Sequence, residues 1–454
     1  MSPYFNFETT YNQLPQTLHR PSTGTNFPQA KIAIYNEALA RALGLIGTFP
    51  LETPTGLAMA YAGHQFGHFT MLGDGRALLL GEHLTPLGTR VDIQLKGAGP
   101  TFYSRGGDGL AGLGPMFREY IMSEALYALG IPTTRSLAVV ATGQPIQRVL
   151  PQPGAYLARV ASSHLRVGTF EYGAHFLEIE ELQALADYAI NRHYPYLNDA
   201  KDKYLRFFER VCERQGKLIA QWQLVGFIHG VMNTDNMTLS GETIDYGPCA
   251  FMDTYHPETV FSSIDRVGRY SYKNQPAIGA WNLSKLATAI AQLLTGTENA
   301  KKEALQQALR GYYTQYNHAY LTGLRQKLGL TAEPQPEDTQ LIQTLFEVME
   351  THKLDYTQTF VKLTENQGMD VADFNNFLAL LNQRGVDREV MRRSNPYTIP
   401  RNHLVEAALK GVEAGDNGKV HELLQAVTQP FVYTKGYDLP PAGGSEGYRT
   451  YCGT

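Results

Sequence analysis

Residues 227–237 read FIHGVMNTDNM, and residues 243–253 read TIDYGPCAFMD. A His-Gly pair is followed by five residues and then Asn236, after which a short apolar run ends in Asp245-Tyr246-Gly247. An asparagine amide oxygen and an aspartate carboxylate are the hard oxygen donors that magnesium prefers, and such a cation bridges them to phosphate oxygens. An asparagine-rich turn leading into a strand is the plainer alternative for the same residues. Asp235, beside Asn236, adds a carboxylate next to the pair that could accept a proton.

The chain of 454 residues is 43% hydrophobic, enough for a large core divided among two or three domain-sized units. With 39 basic and 43 acidic residues the net charge is -4, which gives no electrostatic reason to expect nucleic acid or an anionic membrane as partner. The opening MSPYFNFETTYNQL lacks a charged-then-apolar leader, and no apolar run reaches the roughly 18 residues of a membrane span, so a cytoplasmic protein is expected. Cys212, Cys249 and Cys452 are too few and too scattered for a disulfide framework. The first two read as small buried hydrophobes, and Cys452, in the polar tail GGSEGYRTYCGT, reads as an accessible thiol.

Short β-like runs fill the first half: FTML, ALLLGEHL, VDIQLKG, SLAVVATG and AYLARVA, separated by Gly, Pro and Asp. They predict a twisted antiparallel sheet. One long helical signal, PMFREYIMSEALYALG, interrupts them, opening at Pro115 and stopping at Gly130. From about residue 180 the apolar period becomes that of helices. Leu283, Leu286, Ala287, Ile290 and Leu293 form one core-facing stripe, and Leu341, Ile342, Leu345, Phe346 and Met349 another. TAEPQPED, residues 331–338, is the best linker between helical groups.

Alternation in VDIQLK puts Val91, Ile93 and Leu95 on one face and Asp92, Gln94 and Lys96 on the other, so the Lys96 ammonium projects toward a polar cleft. On the following helix Glu119 lies in line with Met122 and Leu126, turned inward. Either charge alone reads as surface. Together they match the Lys-Glu pair by which kinases orient a lysine on nucleotide phosphates. LGDGRALLL carries Gly73 and Gly75 around Asp74, with Arg76 next, as either a nucleotide-covering turn or a plain hairpin. The glycine-rich loop GAGPTFYSRGGDGLAGLGP makes Arg105 and Asp108 candidates. Arg159, on a strand expected beside that of Lys96, and Arg166 can clamp phosphate, with structural salt bridges as the alternative.

A sheet with one helix, followed by helices and a metal-binding Asn and Asp, is a kinase-like plan. Val231, however, stands where such an enzyme keeps its catalytic aspartate, and it cannot accept a proton. Over nearly its whole length the chain resembles the selenoprotein O family of kinase-like protein adenylyltransferases. The resemblance rests on AYAGHQFGHF, LGDGRALLLGE, DIQLKGAGPTFYSRGGDGLAGLGPMFREYIMSEALYALGIPTTRSLAVVATG, HGVMNTDNM, IDYGP, GRYSYKNQP and NPYTIPRNH.

The resemblance implies an α+β, protein-kinase-like two-lobed fold with additional helices in the C-terminal half. Expected divisions are 1–50, an N-terminal extension; 51–165, the small lobe; 166–330, the large lobe; and 331–454, a helical extension with a redox-capable tail. It further implies transfer of AMP from ATP, held in reversed orientation, to Ser, Thr or Tyr hydroxyls of proteins, self-modification included. Phosphoryl transfer by a true kinase and a dead nucleotide-binding scaffold are the alternatives. Carried over by position, Asp235 is the proton acceptor, with Lys96 and its partner Glu119 as the other catalytic residues. Gly73, Gly75, Arg76, Lys96, Asp108, Gly109, Arg159, Arg166 and Asp245 contact ATP. Asn236 and Asp245 ligate magnesium, with manganese as the alternative. Cys452 takes the position of selenocysteine in some members. The cysteine that pairs with it in some bacterial members is missing from VFSSIDRVGRYS here, so that disulfide does not carry over.

Overall fold

The computed structural model describes residues 4–442, 444 and 447–451. Up to Ala161 the chain builds the antiparallel sheet that the alternating runs predict. Its strands are β1 (Phe7–Glu8), β2 (His19–Thr23), β3 (Lys31–Tyr35) and β4 (Thr55–Met59); then, beyond a separate hairpin of β5 (Ala62–Gln65) and β6 (His68–Met71), β7 (Ala77–Leu84), β8 (Arg90–Lys96), β9 (Ala111–Gly112), β10 (Arg135–Ile146) and β11 (Gln152–Ala161). The spatial order is β2-β4-β7-β8-β11-β10-β3, with β1 against β7 and β9 against β11. Segment 1–50 therefore supplies three strands to the sheet, and its helix α1 (Glu37–Leu43) is capped by Asn36, whose side chain accepts from Leu39 N.

Strand β8 was expected to bury one face only, and it buries both. Ile93 and Leu95 enter an apolar cluster with Leu137, Val140 and Tyr156. On the opposite face Asp92, Gln94 and Lys96 are also buried, because arginines and carboxylates from other elements cover them. Helix α2 (Leu113–Ala128) starts two residues before Pro115 and ends just before Gly130. Gly112 is its N-cap, and proline in the first turn loses no hydrogen bond because those N–H groups have no intrahelical acceptor. Phe117, Ile121, Met122, Ala125 and Leu126 have no exposed surface, which fixes α2 rigidly behind the sheet.

Helices begin at Val167, earlier than the periodicity placed them. They are α3 (Val167–Phe176), α4 (Ile179–His193) and α5 (Lys203–Leu224), then, after the short pair β12 (Phe227–Ile228) and β13 (Ala250–Phe251), α6 (Gln275–Ala291) and α7 (Glu298–Lys327). Glycines 168 and 173 in α3 weaken its sequence signal. The stripes on α6 and on α8 (Pro336–Thr351) face inward, with Leu283, Leu286, Ile290, Leu345 and Met349 buried. The linker 331–338 ends at Gln335: Pro336 opens α8, and buried Asp338 is ion-paired with Arg325 and Arg384.

The remaining helices are α9 (Tyr356–Thr364), α10 (Ala372–Gln383), α11 (Arg388–Ser394), α12 (Asn402–Glu413) and α13 (Gly418–Val427); α12 and α13 return to pack on α2. Arg401, fully buried, donates to Asp253 and Asp355 at 2.6 Å each and to the Asp438 carbonyl at 2.8 Å, tying the NPYTIPRNH segment to the chain just after Gly247. The α+β class is thus as expected: a large antiparallel sheet with many helices. No helix among the described residues is long and apolar enough to cross a membrane. Cys212 and Cys249 are buried and free, as read, while Cys452 lies outside the described residues.

Candidate functional site

Between the sheet and the first helices after it lies a cleft of about 350 Å³. Its lining includes Gly75, Arg76, Lys96, Glu119, Arg159, Arg166, Val231, Asp235, Asn236 and Asp245. Lys96 ends β8, between Ala77 of β7 and Leu157 of β11, and its ammonium is ion-paired with Glu119 of α2 and, at 2.5 Å, with Asp245. Arg159, opposite Gln94 in the β8–β11 register, donates to Asp245 Oδ1 at 2.8 Å. Arg166, the N-cap of α3, donates from Nη1 to Asp245 Oδ2 at 3.1 Å and to the Asp235 carbonyl at 2.9 Å. Three cations therefore converge on one carboxylate. Burial alone would raise the pKa of Asp245; Lys96, Arg159 and Arg166 outweigh it and hold the group well below the usual range. Its φ of +65° is in the left-handed region that non-glycine residues rarely occupy, a strain characteristic of functional positions.

Asp235 sits in the single turn Thr234–Asn236. Its Oδ1 is buried without a hydrogen-bond partner, sealed by β5 and α3. A Cβ on Gly63 would lie 2.4 Å from that oxygen, and one on Gly168 would lie 2.0 Å from the Ala62 carbonyl, so both glycines are needed for this approach. Burial pushes the Asp235 carboxyl up to about 7, with Arg166 opposing and Asp245 and Glu171 adding to the rise. Asn236 donates its amide nitrogen to the Val231 carbonyl at 3.0 Å, which leaves its amide oxygen for the cleft. Among the described residues no three His, Cys, Asp or Glu side chains gather as a metal cluster. Asn236 and Asp245 both line the cleft, and an amide oxygen beside a carboxylate is a donor pair of the kind that suits magnesium or manganese.

A recess of about 290 Å³ adjoins the cleft and shares Tyr61, Gly75, Arg76 and Asp235 with it. Gly73, Arg105, Asp108 and Gly109 line the recess and not the cleft. Asp108 is held by Arg148, from the turn between β10 and β11, at 2.7 Å and by the Leu110 N–H of its own loop at 3.0 Å. The loop itself is shorter than the sequence suggested, because β9 and the start of α2 claim its last residues. The glycine turn is no plain hairpin: β6 pairs with β5, while β7 pairs with β1, β4 and β8, so residues 72–76 cross from one sheet to the other. At Gly73, with φ +97°, the Tyr103 ring occupies the space of a side chain.

Three further residues shape the cleft. Asp74 is buried and pushed by burial up to about 6, opposed by Arg166; it accepts from Met59 N at 3.2 Å and from Gln94 Nε2 at 3.0 Å. Gln94 in turn accepts from Arg159 at 2.5 Å. Tyr61 lies under the Arg166 guanidinium, 4.6 Å from ring centre. The signal for Gln94 was its place between Asp92 and Lys96 on the polar face of β8; nothing local marks Tyr61.

The whole chain has counterparts. The family model described as "Protein adenylyltransferase SelO" matches residues 4–388. Proteins named protein nucleotidyltransferase YdiU share 54% identity with this chain in Geobacillus kaustophilus and 50% in Anoxybacillus flavithermus, with 100% of both chains covered in each case. The Shouchella clausii protein of that name is 50% identical over 99% of both chains. On this likeness the chain belongs to the SelO family of protein adenylyltransferases.

Proposed function

We propose that this protein transfers AMP from ATP to a hydroxyl group of a protein, in a cleft between two kinase-like lobes, the sheet with α2 and the helices from Val167 onward. The observation that carries the reading is Asp235: a carboxyl facing the same cleft as Lys96, Arg159 and Arg166, with Val231 in place of the base that phosphoryl transfer would use. The acceptor oxygen attacks the α-phosphorus, forming an O–P bond. The bond from that phosphorus to the bridging oxygen breaks, and pyrophosphate leaves. The hydroxyl proton passes to the Asp235 carboxylate.

Lys96, oriented by Glu119, and the two arginines offset the charge of the phosphates. Gly75 and Arg76 lie against the nucleotide, while Gly73, Asp108 and Gly109 shape the recess beside it. Asn236 and Asp245 would hold magnesium, or manganese, which would neutralise phosphate charge. Acceptors are Ser, Thr or Tyr hydroxyls, those of the enzyme itself included. Nucleic acid and membrane surfaces form no part of this reading, and the cytoplasm is the compartment it assumes.

Incubation with α-labelled and with γ-labelled ATP tests it. Label arriving from the α position alone, with a nucleotide-sized mass increase on the acceptor, is the expected result. Label from the γ position alone makes the protein a kinase. Neither label, despite measured ATP binding, leaves the nucleotide-binding scaffold that Val231 by itself suggests.

A further inference from the structure

Glu171 is a buried carboxyl for which the transfer chemistry above has no use. It lies on α3, the helix that Arg166 begins, and its ion-pair partner is the Nδ1 of His64 on β5. Carboxyls buried without a permanent cation are costly and concentrate at functional sites. The Thr234 hydroxyl lies near the Glu171 carboxyl and opposes the rise in its pKa, and it accepts the backbone N–H of His64 at 2.7 Å. His64, Glu171 and Thr234 thus form a triangle in which His64 is the link, its ring on the Glu171 carboxyl and its backbone N–H on the Thr234 hydroxyl.

Thr234 is the first residue of the turn that carries Asp235. That turn has no sheet or long helix of its own to orient it. Its direction is set by α3, through Arg166 on the Asp235 carbonyl, and by β5, whose His64 N–H holds the Thr234 hydroxyl and whose Gly63 leaves room for Asp235. Asn233, just ahead of the turn, is fixed by Phe66 N–H at 3.2 Å and the Tyr270 hydroxyl at 2.6 Å. Burial raises Glu171 to about 7 and lowers His64, while Lys285 and His175 face both and Arg269 faces His64. The pair is thus kept close to neutral, suited to holding geometry without adding a full charge beside Asp235.

We propose that Glu171 and His64 are positioning residues for the transfer step: acting through Thr234, they fix the direction in which Asp235 presents its carboxyl to the acceptor hydroxyl. This rests on Asp235 being the proton acceptor. The triangle includes none of Lys96, Arg159, Asn236 and Asp245, so its loss falls on kcat and leaves ATP binding alone.

The variants are Glu171→Ala, Thr234→Val and Thr234→Ser, each assayed for AMP transfer, for ATP affinity by calorimetry and for thermal melting. Because a misplacement of about 1 Å costs on the order of 100-fold, Glu171→Ala and Thr234→Val are expected to lower kcat about 10- to 100-fold. ATP affinity and KM for ATP should stay near wild type, and Thr234→Ser, which keeps the hydroxyl, should restore most of the rate. A fall in ATP affinity that matches the fall in kcat overturns the proposal, as does full activity in Thr234→Val. If both disruptive variants lose cooperative melting, the triangle is a determinant of the fold and the proposal is again overturned. A wild type that transfers γ label in place of α label removes the AMP-transfer reading, yet the same split in its rates would uphold the triangle; a wild type that transfers neither overturns both.

Discussion

Replacing Gln94 by leucine cuts the side chain that joins the glycine turn to the arginine clamp. Gln94 has no exposed surface, and its amide is used at both ends: Nε2 donates to Asp74 Oδ2 at 3.0 Å and Oε1 accepts from Arg159 at 2.5 Å. Leucine is similar in volume, so the packing term is small and the loss is that of two hydrogen bonds to charged groups. Such bonds contribute about 1.5–3 kcal/mol each. Each partner keeps a second contact, Asp74 with Met59 N at 3.2 Å and Arg159 with Asp245 at 2.8 Å, so the lower end applies. Gln94→Leu should therefore cost about 3 kcal/mol in all, twice the lower figure. Freed from Gln94, the Arg159 guanidinium loses one of its two anchors, and about 1.4 kcal/mol of that cost should appear as tenfold weaker ATP binding. Gln94→Glu keeps a partner for Arg159 but sets a second carboxyl beside Asp74, which forces one of the two to hold a proton and makes the defect pH-dependent. Urea denaturation and calorimetry with ATP at pH 7.5 read both quantities. Stability of Gln94→Leu within about 0.5 kcal/mol of wild type, the range of an ordinary surface change, together with unaltered ATP affinity, would refute the reasoning.

Asp245→Asn should abolish metal-dependent ATP binding, whereas Asp235→Asn should bind ATP nearly normally and transfer AMP about 10²- to 10⁴-fold more slowly, the loss expected for a general base. Equal binding losses in the two variants, by calorimetry with ATP and magnesium, would contradict the split. With Asp235 raised to about 7, the transfer rate should climb as pH rises through 7 and the carboxyl ionises; a rate flat from pH 5.5 to 8 would exclude it as the base. For stability the sign is opposite: the folded-state pKa of Glu171 is raised from 4.5 to about 7, so its contribution is fully present below the unfolded value and is lost as pH rises to about 7. Glu171→Gln should therefore flatten the fall in denaturation free energy between pH 5 and 7, and an unchanged slope would count against it. Cys212 and Cys249, buried and with thiols raised by burial, the latter to about 12, should resist iodoacetamide in the native protein; peptide mapping that finds either one modified without unfolding would show the core opens there.

Much of the fold was legible because it rests on local period. ALLLGEHL is β7 residue for residue, and the Lys96–Glu119 pair follows from a period of two on one element and a helical period on the next. That Asn236 and Asp245 share the cleft was legible because they are close in sequence. What escaped depends on contacts between distant residues. No pattern around Gly63, Gly168 or Thr234 announces that β5 and α3 meet at Asp235, and the burial of both faces of β8 requires partners from α4, the loop after β6 and the turn at Asp245. Asp108 looked like a ligand because it stands in a glycine-rich loop, yet its nearest partner is Arg148 on the same rim.

The electrostatics of the cleft separate the two aspartates that the opening stretch placed side by side. Lys96, Arg159 and Arg166 all bond Asp245, while Glu119 is the other carboxylate paired with any of the three at short range; Asp74 stands 3.9 Å from Arg166. Asp74 and Asp235 are themselves raised, to about 6 and about 7, so near neutral pH they neutralise those cations incompletely. The cleft is then short of negative charge, and a triphosphate supplies it. On the proposed reading, phosphate oxygens would share the guanidinium and ammonium contacts, and Asp245 would be one of the residues that hold the metal. In this structure three cations outweigh the burial of Asp245 and hold it ionised, and it would serve as an anionic ligand. Asp235, a carboxyl in the same cleft but pushed up by burial, can lose and regain a proton near pH 7. When two carboxyls in one site are driven apart in this way, the raised one carries the proton and the lowered one holds the charge, which is the division of labour that AMP transfer without an aspartate at position 231 requires.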